Sequence, residues 1–191
     1  MTDDKLTAEL TEDPVLRMRS RFWRSSENGN DILHAETWVD PGGGVTPHIH
    51  PAIEERFEVV EGQPEFLFSR RWSVAEPGRT VLIPPGTRHA FRNRGREVAH
   101  FVCHVTPPST LQEFLTDVAA LSRAGAITRR GLPRTVDGLL QAAVMAHHYR
   151  EMVTLLGPLP PPAIQRLVIP PLARAGERRG HHAGAIGRRA A

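Results

Sequence analysis

Four residues of metal-ligand type, spaced in two short motifs, constrain this chain more than any other feature. In the first motif, Gly42 is followed by His48, His50 and Glu55, and Gly62 closes the motif. Side chains alternate between the two faces of a β-strand, so His48 and His50 are predicted to point to the same face. The spacing therefore predicts two imidazoles side by side on one strand.

The second motif supplies the fourth ligand from another part of the sheet. It begins at Gly78, continues through the turn Pro84-Pro85-Gly86 to His89, and ends at Asn93. The turn can deliver His89 on a third strand, beside the ligands of the first motif. Three imidazoles and one carboxylate oxygen suit a divalent first-row metal.

Strand parity decides which of two adjacent glutamates belongs to the first motif. Glu55 has the same parity as Phe57 and Val59, which places its carboxylate on the apolar, inward face. Glu54 has the same parity as Arg56 and is predicted to point outward. Glu55 is therefore the predicted fourth ligand.

Both motifs match the signature motifs of the cupin superfamily at every fixed position, and the segment from His50 to Gly62 resembles small single-barrel bacterial cupins. The resemblance covers about residues 20–107 and implies an antiparallel jelly-roll barrel. It implies turn glycines at Gly62, Gly78 and Gly86 and a structural role for Asn93. It also implies four metal ligands: His48, His50, Glu55 and His89.

The predicted fold class is mainly β, a cupin jelly-roll barrel followed by a C-terminal α-helical segment. The predicted divisions are a flexible N-terminal segment (1–19), the barrel (20–107), C-terminal helices (108–175) and a basic, disordered tail (176–191). A length of 191 residues suits one domain with an appendage.

Alternation within two further strands places other histidines. Between Asp31 and Val39, the set that includes Ala35 is predicted to face the barrel, which puts His34 outside. His100 and His104 share one face of the strand from 98 to 105. Which of its faces is the inner one stays open. A surface or interface position is the favoured interpretation, and on an inner face either histidine could be a proton donor or acceptor beside the metal.

After residue 108 the apolar pattern changes from strand to helix spacing. Ser109 and Gln112 have the form of a capping box for a first helix that Gly125 can end. A second helix is predicted from about 136 to 156, where Gly157-Pro158 stops it. These amphipathic helices are expected to pack on the barrel or on a second subunit, with insertion into a membrane surface as the alternative.

The last segment is predicted to hold one short helix and then a tail. The helix spans 163–169, and Pro170-Pro171 is expected to break or kink it. A basic tail can contact nucleic acid or anionic membranes, but a solvated, disordered end is the favoured interpretation. Neither nucleic acid nor a membrane is an expected partner.

Charge, cysteine usage and the N-terminus favour an ordinary cytoplasmic protein. The formal net charge is +3, and Cys103 is the only cysteine, so no intrachain disulfide can form. No secretory signal is recognisable at the N-terminus, and no apolar run approaches the ~20 residues that span a bilayer. Cys103 is expected to be a small core residue, without a catalytic role.

The predicted function is that of a metal-dependent enzyme acting on a small organic molecule. The ligand set leaves iron, manganese, nickel, zinc and copper open. The first hypothesis, from the resemblance, is a dioxygenase for aromatic, enol or thiol substrates, with Glu55 as both ligand and proton acceptor. The alternatives are a zinc-dependent cyclase or isomerase and a non-catalytic binding protein. A homodimer is expected. The predicted lining of the pocket is apolar: Phe57, Val59, Phe66, Phe68, Phe91 and Phe101.

Overall fold

The computed structural model describes residues 8–27, 29–128, 131–156 and 160–184. Within these ranges the chain forms two antiparallel sheets and three α-helices. The strands are β1 (Leu10–Asp13), β2 (Met18–Glu27), β3 (Asn30–Val39), β4 (His48–Ile49), β5 (Glu54–Glu61), β6 (Glu65–Phe68), β7 (Arg71–Val74), β8 (Thr80–Ile83), β9 (His89–Arg92), β10 (Ala99–Thr106) and β11 (Thr154–Leu155). The helices are α1 (Leu111–Arg123), α2 (Val136–His148) and α3 (Pro162–Arg178).

The two sheets form the predicted jelly-roll barrel. One sheet has the order β1-β2-β3-β10-β5-β8 and the other the order β11-β4-β9-β6-β7. Consecutive strands of the chain often lie in different sheets, as a jelly roll requires. The predicted fold class, a barrel followed by C-terminal helices, is confirmed.

The N-terminal segment is more regular than the sequence predicted. Leu10–Asp13 pairs with the start of β2, and β2 begins at Met18. The prediction of a flexible segment through residue 19 is therefore wrong for residues 10–13 and 18–19. The backbone N–H groups of Val15 and Leu16 both donate to the Asp13 carboxylate, which stabilises the turn between the strands. A hydrogen-bonded turn of this kind leaves little signal in hydrophobic periodicity.

Strand parity correctly placed the side chains of β3. Leu33 and Ala35 are buried in the barrel, whereas the ring of His34 stacks on Trp23 of β2 on the outer face. Strand β10 pairs with both β3 and β5, and its register sets His104 opposite His34. Because cross-strand partners share a face, His100 and His104 also lie outside, which answers the question that the sequence left open.

Buried polar contacts and glycines support the turns that the resemblance implied. The Asn93 amide donates to the carbonyl oxygens of Val39 and Glu97, so its role is structural. Gly62 has φ +75°, and a Cβ there would lie 2.6 Å from the carbonyl oxygen of Val98. Only glycine fits such a left-handed, crowded position.

The first two helices differ in detail from the prediction. Ser109 Oγ accepts a hydrogen bond from the Leu111 N–H, but Thr110 occupies the N-cap, so the predicted capping box is wrong. Helix α2 ends at His148 rather than near residue 156, because Met152 and Val153 form a turn that leads into β11. Residues 157–158, the predicted stop signal, lie outside the described residues.

Helix α3 continues through the two prolines that were predicted to break or kink it. It runs from Pro162 to Arg178, so the boundary predicted at residue 176 falls inside a helix. A Cβ on Gly176 would lie 2.7 Å from Val144 Cγ2, which shows how closely α3 packs on α2. The expectation of a disordered tail is wrong for residues 176–178, and residues 185–191 lie outside the described part of the chain.

Candidate metal centre

Three different strand regions bring the four predicted ligands together. His48 lies on β4, opposite His89 of β9, while His50 follows β4 directly. Glu55 lies on β5, in the other sheet. The turn before β9 is tied to the first motif, because the Gly86 N–H donates to the carbonyl oxygen of His50 at 2.8 Å.

The four side chains converge on one point inside the barrel. One ligand atom from each of His48, His50, Glu55 and His89 lies within 4.8 Å of the others. Glu55 Oε2 is 2.7 Å from His89 Nε2, and Glu55 Oε1 is 3.6 Å from His50 Nε2. A donor set of three nitrogens and one oxygen at this separation could hold a divalent transition metal.

All three imidazoles are oriented by backbone carbonyls. Their Nδ1 atoms donate to the carbonyl oxygens of Thr46, Thr87 and Met152, over 2.9, 2.8 and 2.8 Å respectively. With Nδ1 carrying the proton, Nε2 is left as the atom that can bind a metal. A backbone carbonyl is present at every residue, so this support leaves no signal in the sequence.

The inward-facing atoms fit a metal in a further respect. His50 Nε2 is buried without a hydrogen-bond partner among the described residues, and the buried atoms His89 Nε2 and Glu55 Oε2, although 2.7 Å apart, form no hydrogen bond of good geometry. Buried polar atoms without partners are destabilising in a protein interior. A bound cation would satisfy all three, and the residues therefore fit the group that the resemblance implied.

Electrostatics favour the metal-binding protonation states of His48 and Glu55, whereas at His89 the adjacent Glu55 carboxylate outweighs burial and raises the pKa. Burial lowers the pKa of His48 to about 3, and the neighbouring His89 and His50 contribute in the same direction. Burial alone would raise the pKa of Glu55, but the contact with His89 and the charges of the histidines lower it to about 2. A neutral imidazole and an ionised carboxylate are the forms that coordinate metals.

A cavity of about 640 Å³ opens from the metal cluster toward the C-terminal helices. Phe57, Phe91 and Phe101 line it, as predicted. Val59 and Phe66 are buried core residues that do not line the cavity, so their predicted place in its lining is wrong. The prediction is also wrong for Phe68, which is 48% exposed. β6 ends at Phe68, and the alternation that buries Phe66 does not carry over to it.

The C-terminal extension builds the other wall of the cavity, which the sequence did not predict. Helix α1 contributes Leu111, Phe114 and Leu115, and α2 contributes Met145. Tyr149 directly follows α2, and its hydroxyl donates a hydrogen bond to Asp117 of α1 at 2.9 Å, which links the two helices. The amphipathic pattern predicted packing on the barrel but not that the packed helices would enclose a cavity.

Cys103 and His100 lie on opposite faces of β10. Cys103 is buried in the cavity wall beside Glu55, and burial together with that carboxylate raises the pKa of its thiol. It is therefore a neutral wall residue rather than a nucleophile. His100 contacts Glu36 on the outer sheet face, away from the metal cluster.

Comparison with known proteins relates the motif region to a known domain family. Residues 36–105 match the Cupin domain family (Cupin_2). The matched segment of the barrel is therefore a cupin domain. The cupin motif region contains all four candidate ligands.

Similar sequences include two proteins from Streptomyces. The chain is 37% identical over 67 residues to "Polyketide synthase CurC" of Streptomyces cyaneus, and this match covers 35% of this chain and 44% of that protein. It is 36% identical over 69 residues to "Protein SchB" of Streptomyces halstedii, covering 36% of this chain and 50% of that protein. The matches thus span half or less of the length of these relatives.

Two solved structures are similar to part of the chain. The polyketide cyclase RemF from Streptomyces resistomycificus aligns with a TM-score of 0.47 and 20% identity, over 55% of this chain and 78% of that one. KdgF from a Halomonas species aligns with a TM-score of 0.47 and 18% identity, over 53% of this chain and 87% of that one.

None of the described helices of this chain is long and apolar enough to cross a membrane.

Proposed function

We propose that this cupin is a metal-dependent enzyme that closes a ring in an extended, apolar, enolisable substrate. The observation that carries the proposal is the position of the ligand cluster, which lies at the buried end of a largely apolar cavity of about 640 Å³. Cavities of this size accommodate drug-sized organic molecules. The site therefore suits an organic substrate whose oxygen atoms reach the ligand cluster.

His48, His50, Glu55 and His89 would hold one divalent metal ion. When bound, the ion supplies Lewis acidity toward substrate oxygens. The three histidines contribute orientation, because each Nδ1 is fixed by a backbone carbonyl. The phenylalanine wall around the cluster excludes water from the reacting end of the substrate.

Glu55 would also be the catalytic base. Ring closure by an enolisable substrate removes a proton from carbon, forms a carbon–carbon bond at a carbonyl carbon, and releases water. Among the described residues that line the cavity, the carboxylates are Glu55 and Glu151, and Glu151 is 88% exposed at its side chain. Glu55 is therefore the carboxylate at the buried end of the cavity, where it could accept the proton.

The choice of a polyketide-like, enolisable substrate draws on the sequence relative named as a polyketide synthase, which is 37% identical over 67 residues. Dioxygenation is the second candidate. It is favoured by the ligand set itself, since three imidazoles and a carboxylate bind redox-active iron, manganese, nickel or copper as well as zinc. The homodimer expected from the resemblance stays a prediction, which sedimentation can check.

Metal content is the first test of the proposal. Untagged protein is loaded separately with each of the five candidate metals, desalted and measured by mass spectrometry, alongside His89→Ala and the control His100→Ala. We expect one ion per chain in the wild type and in His100→Ala, and loss of that ion in His89→Ala. If the wild type retains no metal under any loading condition, the proposal is wrong.

The reaction class is tested with a poly-β-carbonyl compound as substrate, with and without oxygen. Cyclisation is expected to proceed equally without oxygen and to yield a product that has lost water. Dioxygenation would consume oxygen and add its atoms to the product. Glu55→Gln is expected to abolish turnover in either case, and retention of full activity by this variant would exclude Glu55 as the base.

A further inference from the structure

Charged side chains occur at two separate places in the wall of the cavity. The metal cluster occupies the buried end. The second set lies on the C-terminal extension, where Arg150, Glu151 and Arg166 are exposed and thus mark the open end. A ligand that fills the cavity would therefore meet apolar side chains in between and charged groups at both ends.

The charges at the open end do not balance. Arg150 Nη2 lies 3.2 Å from Glu151 Oε1, and Arg150 Nη1 donates to the carbonyl oxygen of His147. Arg166 has no hydrogen bond or ion pair with any residue in the described ranges. The open end therefore carries two arginines and one glutamate, and among these described residues the guanidinium of Arg166 is the one left to meet a ligand.

The backbone around Arg166 is held in place. The preceding residue, Gln165, donates from its amide to the carbonyl oxygens of Leu155 and Pro160, at 3.0 and 2.7 Å. Leu155 lies on β11, directly opposite His48 of the metal cluster. The start of α3 is thereby tied to the strand beside the metal ligands, which fixes the distance between the two ends of the cavity.

We propose that the cavity binds an amphipathic organic anion, with its apolar, ring-bearing body among the phenylalanines and its acidic group against Arg166. A planar guanidinium is the side chain best suited to pair with a carboxylate or another oxyanion. The inference rests on the proposed function and narrows its substrate to an acid whose oxygen-bearing end reaches the ligand cluster.

Two fluorescent probes with the same ring system test the proposal. Anilinonaphthalene sulfonate carries an acidic group, whereas phenylnaphthylamine lacks it. We expect the wild type to bind the sulfonate more tightly than the neutral probe. Arg166→Gln should weaken sulfonate binding by about threefold, the effect typical of an exposed ion pair, and Arg166→Glu should weaken it further. Binding of the neutral probe should not change.

The matched control is Arg174→Gln, which removes an exposed arginine from the same helix at a position that does not line the cavity. This variant should bind both probes like the wild type. The proposal is overturned if neither probe binds, if the Arg166 variants keep the affinity of the wild type for the sulfonate, or if both probes weaken together. Because binding is measured without turnover, on metal-loaded and chelator-treated protein, its outcome is separate from that of the metal and cyclisation tests.

Discussion

The Nδ1 atom of His50 donates a hydrogen bond to the carbonyl oxygen of Met152, which is 2.8 Å away in space and 102 residues later in the chain. His50 belongs to the barrel, whereas Met152 belongs to the C-terminal extension. The extension continues into β11, which pairs with β4 beside His48. The metal cluster is therefore completed by a segment that lies outside the family match.

Distorting the Met152 turn should weaken metal binding. The Val153 N–H donates to the carbonyl oxygen of Tyr149, and Val153→Pro removes this bond and restricts the backbone of Met152. Loss of a hydrogen bond to a ligand histidine lowers metal affinity about ten- to a hundredfold, which we expect for this variant in a zinc competition titration. Val153→Ala keeps the backbone and should retain the affinity. Equal affinities in both variants would mean that the Met152 carbonyl does not support the site.

Adding a side-chain atom at the close contact between α2 and α3 should destabilise the C-terminal extension. Alanine usually stabilises a helix relative to glycine by about 1 kcal/mol. At Gly176, however, the added Cβ would lie 2.7 Å from Val144 Cγ2 and 2.9 Å from the carbonyl oxygen of Leu140. We expect Gly176→Ala to lower the free energy of unfolding in urea and to speed hydrogen exchange in α3. A higher free energy of unfolding in the variant would show that the two helices can move apart without destabilising the protein.

Removing the central ring of the phenylalanine cluster should destabilise the barrel. Phe101 is 1% exposed, and its ring centroid lies 5.5 Å from that of Phe57 and 4.9 Å from that of Phe91. Phe101→Ala is expected to lower the free energy of unfolding by about 3–5 kcal/mol, measured by urea denaturation. The control, Phe68→Ala, removes an exposed ring and should change it by less than about 1 kcal/mol. Similar losses in both variants would contradict the assignment of Phe101 to the core.

The sequence predicted what depends on local spacing. The pair His48 and His50, the parity of Glu55 and the turn before His89 are properties of single strands and turns, and the family motifs fixed their relative positions. The carbonyl of Met152 and the guanidinium of Arg166 could not be predicted in the same way. Their roles depend on how separate helices pack on the barrel, and neither a backbone oxygen nor an exposed arginine stands out in a sequence.

The outer face of the large sheet holds two histidines that should make the fold sensitive to acid. Burial lowers the pKa of His34, with a further contribution from the charge of His104. Burial is also the main cause of the lowered pKa of His104, although Glu58, 3.4 Å away, opposes it. Glu27 opposes the shift at both histidines, whereas Arg56 reinforces it.

The sign of the resulting pH dependence follows from proton binding. An unfolded histidine has a pKa near 6.5, so below that pH the unfolded chain binds more protons than the folded one, until the lower folded pKa values are reached. The free energy of unfolding should therefore fall as the pH is lowered from about 7.5 to about 5.5. Metal-loaded protein is used for this measurement, so that the ligand histidines stay occupied. His104→Asn removes one of the two titrating groups and the charge that acts on His34, and its loss of stability over the same interval should be smaller. If the wild type and His104→Asn lose equal stability, the acid sensitivity has its origin elsewhere in the chain.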